Sequence, residues 1–375
     1  MSAKRAAASH RNPIPTYAVV MAGGGSTRFW PLGRANRPKH VLSILGKQTL
    51  LQATVKRLAP IFSRRRILVV TGSAHENEVR SQLPFLPSDH ILVEPLQRNT
   101  AACIALAAEW LATHVGEAIM AATPSDHVIV DAAGQRRTLE TALALAAAER
   151  CLVTIGVIPK RPEAGYGYIE VDARVGGKFP SAHWVKCFHE KPDLATARRY
   201  SSSGKHLWNS GIFIWHTTAF RDALRQCEPR IAAALEQVWK PLRGREARIR
   251  AAYRQIPSLP VDLAVMQPLS MRSDAVVRIA VVDGGFDWID AGNWDAMAAL
   301  WPKDEAGNAV RGKVLAIDSR DSVVYCPDRL VALVGVDNLV VVDAGDVTLV
   351  CPRERAQDVR RVVSALQERG WKSYL

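Results

Sequence analysis

"AGGGSTRFWPLGRANRPKH", residues 22–40, decides how the rest of the chain is read. It continues the short apolar run "YAVVMA" (17–22), sets Gly23, Gly24 and Gly25 in a row, and then brings Arg28, Arg34, Arg37 and Lys39. A strand running into glycines and cations suits a phosphate loop, with backbone N–H groups approaching the anion and side-chain charge a turn or two further on. Three familiar versions of such a loop fail. The spacing G-x-x-x-x-G-K-[ST] is absent, because Arg28, Phe29 and Trp30 stand five positions after the three glycines. The dinucleotide pattern G-x-G-x-x-G and the nucleophile elbow G-x-S-x-G both meet Arg28 where a glycine is required.

Working outward, the chain alternates short apolar runs with amphipathic stretches, the pattern of a sheet covered by crossover helices. Strands are predicted at 17–22, 66–71, 90–94, 118–122 and 152–158. Helices are predicted around Leu51, Val55 and Leu58, over 100–114 and over 137–150. That order predicts an α/β fold, Rossmann-like and doubly wound, with ligands beyond the carboxyl ends of the strands. Past residue 160 the hairpin-like pieces "YGYIEV", "VKCFHEK" and "LWNSGIFIWH" suggest an insertion closing over the first half. Near Pro302 the character changes to Val-rich short strands with Asp/Gly/Asn turns. A helix follows, carrying Val359, Val362, Val363 and Leu366 on one face with Gly370 as its stop. The expected division is a disordered basic tail over 1–14, a main mixed-sheet domain over 15–301 and a small C-terminal β domain with a terminal helix over 302–375.

The 375 residues carry a formal charge of +13, mostly as scattered arginine, which fits a solvated basic surface better than a binding patch. Six cysteines without a C-x-x-C pair or zinc-type histidine spacing read as reduced thiols, and no apolar run has signal-peptide or membrane-spanning length. A cytoplasmic protein with no membrane and no nucleic-acid partner is expected; a homodimer is left open.

The stretch 22–40 resembles the signature G-G-x-G-T-R-L-W-P-L-S-R-x-x-x-P-K of the sugar-1-phosphate nucleotidyltransferases, and its W-P-L-x-R form resembles the mannose-1-phosphate guanylyltransferases. Further segments stand in that family's order: "EPLQRNTAACIALAA" (94–108), "PSDHVI" (124–129), "GYGYIEV" (165–171), "FHEKPDLATARRY" (188–200), "LWNSGIFIW" (207–215), "VDLAVMQ" (261–267) and "DWIDAGNWDAM" (287–297). Residues 17–300 carry the resemblance densely.

The resemblance implies transfer of GMP from GTP to mannose 1-phosphate, giving GDP-mannose and pyrophosphate, with Mg²⁺ as cofactor. It implies that Ala22, Gly23, Gly24, Arg28, Lys39, Asn99 and Thr100 bind the nucleotide. Asp126 and Asp290 would hold the metal, each placed after an apolar run. Gly167, Glu190, Lys191 and Asn209 would hold the sugar phosphate; catalysis would fall to Arg28, Lys39, Asp126, Lys191 and Asp290. Taken singly, Asp290 also reads as a helix cap, Asn99 or Thr100 likewise, and "EKPD" as a surface turn. His127 and His189 adjoin acids, but packing or local hydrogen bonding suits them better than acid–base work. Ser26 replaces the signature's third glycine, "PKHVL" stands for P-K-Q-F/L and "DAGNW" for D-V-G-S-W; none of these changes removes a charged site residue. The chain stops about where an isomerase-type domain begins in bifunctional relatives, so that second activity is not expected. The alternatives are a guanylyltransferase for another hexose 1-phosphate and a regulatory paralogue that binds GDP-mannose without catalysis.

Overall fold

The computed structural model describes residues 14–24, 27–35, 37–236, 238–240 and 243–375. The expected tail therefore falls almost wholly outside the described residues, as do Gly25 and Ser26.

Five apolar runs build one side of the sheet: β1 (Thr16–Ala22), β2 (Ile67–Gly72), β3 (Ile91–Glu94), β4 (Ile119–Pro124) and, beyond the two-residue β5 (Val128–Ile129), β6 (Leu152–Val157). The chain continues with β7 (Tyr168–Gly176), β8 (Phe179–His189), β9 (His206–His216), β10 (Ile279–Asp283) and the two-residue β11 (Trp288–Ile289). Nine of these form one mixed sheet in the order β3-β2-β1-β4-β9-β6-β10-β8-β7. Strands β1 to β4 are mutually parallel, whereas β9 runs antiparallel to both β4 and β6.

Alternation along each strand feeds two cores. Val19, Met21, Leu68 and Val70 pack against the helix Asn99–His114, while Ala18, Val20, Ala22 and Val69 pack against the helices Leu50–Leu58 and Ala132–Glu149. Helices cover both faces, as a doubly wound sheet requires.

One expectation is corrected. The pieces from residue 160 onward do not form an insertion closing over the first half; they are strands of the same sheet, and β9 sits in its middle. The reason lies in "IFIWH", which is fully buried and finds pairing partners on both edges.

The C-terminal part is a four-stranded sheet, β12 (Ala309–Ile317), β13 (Val323–Val334), β14 (Leu339–Asp343) and β15 (Thr348–Pro352), followed by the helix Val359–Glu368. Gly370 stops the chain after that helix at φ +71°. This unit shares a core with the signature loop: Phe29, Trp30, Leu42 and Ile44 pack with Trp294, Trp301, Val323, Val340 and Leu366. Polar bonds fix the same contact, Trp30 Nε1 donating to the Tyr374 carbonyl at 2.7 Å and Trp301 Nε1 to the Ile44 carbonyl at 2.8 Å. None of the six cysteines is paired. No helix among the described residues is long and apolar enough to cross a membrane.

Candidate active site

The carboxyl ends of the parallel strands carry the glycine loop after β1, Asn99 and Thr100 after β3, and Asp126 after β4. A Cβ on Gly23 or Gly24 would meet nothing within 4 Å, so crowding does not explain the glycines there. Gly24 sits at φ +102°, a conformation that L side chains rarely adopt, so its backbone asks for glycine.

Asp126 and Asp290 lie 164 positions apart in the chain and are brought together by backbone pairing. Strands β5 and β11 form a two-stranded antiparallel clip with Val128 opposite Ile289 and Ile129 opposite Trp288. Asp126 precedes the clip on one side and Asp290 follows it on the other, so both carboxylates leave the same end. Lys39 starts a single 3₁₀ turn after Pro38, and its Nζ lies 2.7 Å from Asp126 Oδ2 and 3.8 Å from Asp290 Oδ1. Burial pushes the Asp126 carboxyl upward, but the Lys39 ammonium, aided by His127, holds it well below the usual carboxylate range. Two carboxylates already converging on a cation are a donor set that fits a divalent ion shared with substrate phosphates.

The neighbours of these acids have structural roles. His127 accepts from Trp288 Nε1 at 3.2 Å through Nδ1, and burial lowers its pKa, consistent with packing rather than proton transfer. The helix-cap reading of Asp290 is not met: Asn293 caps the turn Trp294–Ala299, accepting from the Ala296 N–H at 3.1 Å.

From this cluster a cleft of about 1070 Å³ runs outward, lined by Arg28, Tyr166, Lys191, Trp208, Trp288 and Asp290 among others. Arg28 Nη1 is 3.4 Å from the point where a Cβ on Gly292 would sit, two residues beyond Asp290. A second loop arginine singled out by the sequence is engaged elsewhere: Arg34 makes a two-bond pair with Asp346 of the C-terminal unit, at 2.6 and 2.9 Å.

At the far end of the cleft, β7 begins between the end of β8 on one side and β9 on the other. Glu190 Oε2 lies 2.7 Å from where a Cβ on Gly167 would sit, so any side chain there would displace the carboxylate. Asn209 donates its backbone N–H to the Gly167 carbonyl at 2.8 Å. Its amide oxygen accepts from Thr154 Oγ1 at 3.0 Å and its Nδ2 donates to Asp262 Oδ1 at 2.8 Å. Lys191 leaves β8 at φ +46°, which lets adjacent Glu190 and Lys191 pair with each other rather than point to opposite faces. Gln267 Oε1 accepts from the Glu190 N–H at 2.9 Å.

Asp262, which sequence reading passed over, completes this wall. Burial raises its carboxyl to about 7, and the nearby Glu190 charge adds to the effect. Its signal was present in the sequence as a lone acid inside the apolar "VDLAVM". Asn99 and Thr100 join neither cluster by a direct bond. Asn99 is exposed at φ +65°, its Oδ1 accepts from the Thr100 N–H, and Thr100 Oγ1 accepts from the Val261 N–H at 2.8 Å. Their expected capping is corrected too, since the helix takes Arg98 as its N-cap without a side-chain bond.

An open α/β sheet with paired acids beyond its strand ends and cations along an adjoining cleft defines the class, one that handles anionic substrates at a sheet edge. Comparison with known proteins makes it specific. Residues 17–307 match the Nucleotidyl transferase family model, and residues 312–366 match the MannoseP isomerase/GMP-like beta-helix domain. The chain belongs to the nucleotidyl transferase family. It is 39% identical to the xanthan biosynthesis protein XanB of Xanthomonas campestris pv. campestris over 94% of this chain and 73% of that protein. It is 37% identical to the mannose-1-phosphate guanylyltransferase of Escherichia coli K12, over 94% of this chain and 74% of that one. Among solved structures, the protein named mannose-1-phosphate geranyltransferase from Thermus thermophilus superposes with a TM-score of 0.83. It is 34% identical over 94% of this chain and 100% of that chain. The chain is thus an enzyme, a nucleotidyltransferase of nucleotide-sugar biosynthesis acting on a sugar phosphate.

Proposed function

We propose that this enzyme transfers GMP from GTP to mannose 1-phosphate, releasing pyrophosphate and forming GDP-mannose. The observation that carries the reading is the Lys39 ammonium lying between Asp126 and Asp290 at the end of the signature loop, with Asp290 lining a cleft that also holds Lys191. The kinship to mannose-1-phosphate guanylyltransferases supports the choice of sugar and nucleotide.

In this reading a phosphate oxygen of mannose 1-phosphate attacks the α-phosphorus of GTP in line. The new P–O bond forms as the bond to the β-phosphate oxygen breaks, and the electron pair leaves with pyrophosphate. The nucleophile is already an anion at neutral pH, so no strong base is needed, and positioning with charge neutralisation supplies the catalysis. Asp126 and Asp290 would hold Mg²⁺, which when bound neutralises charge on the reacting phosphates. Lys39 exchanges Asp126 for the β and γ phosphates, and Arg28 joins it from the same loop. The backbone around Ala22, Gly23 and Gly24 lies along the triphosphate, with Asn99 and Thr100 toward base and ribose. Lys191 draws in the sugar phosphate while Gly167, Glu190 and Asn209 fix the sugar hydroxyls.

The test is pyrophosphate release from the purified chain with GTP, mannose 1-phosphate and Mg²⁺, then with the metal omitted and with a panel of hexose 1-phosphates and nucleoside triphosphates. Turnover that needs the metal and ranks this pair first is expected. Binding of GDP-mannose without any turnover would assign the chain to a regulatory role instead.

A further inference from the structure

Away from the cleft residues, three side chains with no part in the reaction converge on one face of the sheet. Glu170, His189 and His206 each offer a ligand atom, and these atoms all lie within 4.8 Å of one another. They come from three adjacent strands with β7 in the middle: Glu170 is opposite His206 on β9, and His189 on β8 is opposite Tyr168, two positions from Glu170 on the same face. His189 Nε2 stands 3.9 Å from Glu170 Oε2.

We infer that Glu170, His189 and His206 form a binding site for a divalent transition ion of the zinc class. Two imidazoles and one carboxylate are an N/N/O donor set that such ions prefer and that Mg²⁺ does not. All three residues are half-buried, so the ion keeps an entry path and at least one position for water. Ligands bound at ~2.1 Å around a tetrahedral ion stand roughly 3.4 Å apart, so the cluster closes by side-chain rotation of little more than an ångström without moving the strands.

The surroundings of His206 are those of a held ligand. Ser203 Oγ bonds its Nδ1 at 2.7 Å, which leaves Nε2 for the ion. Tyr200, from the helix Leu194–Ser202, stacks on the His206 ring at 4.0 Å and 14°, and lies 5.0 Å from the His189 ring. That aromatic cover fixes both imidazoles and dries one side of the site. The charge now facing Glu170 is Lys186, whose Nζ donates to Oε1 at 2.8 Å while its side chain is mostly exposed. Lys186 swings out to solvent as the ion enters, and Oε2 is already turned toward His189. The ion would staple β7, β8 and β9 close to the strand ends that carry Gly167, Glu190 and Asn209.

The experiment is calorimetric titration of the full chain, stripped of metal and kept in excess Mg²⁺, with ZnCl₂. One equivalent of Zn²⁺ is expected in the wild type, with a melting temperature that rises on its addition. His206→Ala and the near-isosteric Glu170→Gln should each weaken uptake by about tenfold or more and abolish the thermal shift. Lys186→Ala should tighten uptake, a response that a merely structural cluster would not give. No uptake by the wild type at micromolar Zn²⁺, or unchanged isotherms in both His206→Ala and Glu170→Gln, would overturn the site. None of these readouts depends on turnover, so a failure here is separable from a failure of the assigned reaction.

Discussion

The two ends of the cleft handle charge in opposite ways. At the phosphate end Asp126, Asp290 and Lys39 neutralise one another, and the ion pair stays partly open to water, with the Asp126 side chain 34% exposed. At the sugar end Glu190, Asp262 and Asn209 form a wall held by internal bonds, where burial raises the Asp262 carboxyl to about 7. On the proposed reading the first arrangement exchanges partners, the lysine on two carboxylates giving way to a metal ion and polyphosphate. The second is built to persist, because buried polar groups left unpaired cost about 1–3 kcal/mol each. The difference lies in the partners: one end holds its charges in ion pairs across the loop, the other holds its polar groups by hydrogen bonds among themselves.

Breaking the phosphate end should cost most. Asp126→Ala or Lys39→Ala is expected to lower kcat by roughly a thousandfold, as loss of a transition-state charge contact does. Circular dichroism and melting should show a folded protein; near-normal pyrophosphate release from either variant would refute the exchange. Trp30→Ala comes next. Removing a buried tryptophan costs about 3 kcal/mol in denaturant unfolding. Because Trp30 ties the signature loop to the C-terminal unit, KM for GTP should rise while KM for mannose 1-phosphate stays nearly constant; equal changes in both would mean that the two ends are not mechanically separate.

Lys191→Ala should act at the other end, raising KM for the sugar phosphate by about tenfold, the scale of one lost charge-assisted bond, with the GTP value unmoved. The smallest effect is that of Asp262→Asn. The Asp262 pKa is raised from 3.8 to about 7, so its contribution to stability is fully present below the unfolded value and is lost as pH rises through the folded one. The variant, which keeps an acceptor for Asn209, should therefore gain melting temperature over wild type at pH 8 and gain less at pH 5. A gain independent of pH would remove Asp262 from the titrating wall.

Much of the phosphate end was legible in the chain. Apolar runs with helical stretches between them located β1 to β4, and the strand-end rule put Asp126 and the glycine loop on one edge. What pattern cannot supply is the identity of a distant partner. "LWNSGIFIW" announces burial but not the neighbours it slips between, so β9 read as part of an insertion. Arg34 looked like phosphate charge because Asp346, which occupies it, stands 312 positions later. Strands β5 and β11 are two residues each, too short for any periodicity. Asp262 was passed over because one acid in an apolar helical run signals nothing until its neighbours are known.

The clip that joins Asp126 to Asp290 is made of main-chain pairing, and this has a consequence for how the enzyme can drift. Substitutions at Val128, Ile129, Trp288 or Ile289 that respect the local space leave the backbone register intact, so the spacing of the two acids is insulated from side-chain turnover around them. The two acids are also tied as one piece: a shift of either strand carries both carboxylates along rather than pulling them apart. A lineage can thus alter the walls of this cleft while the spacing of the two acids stays where it was.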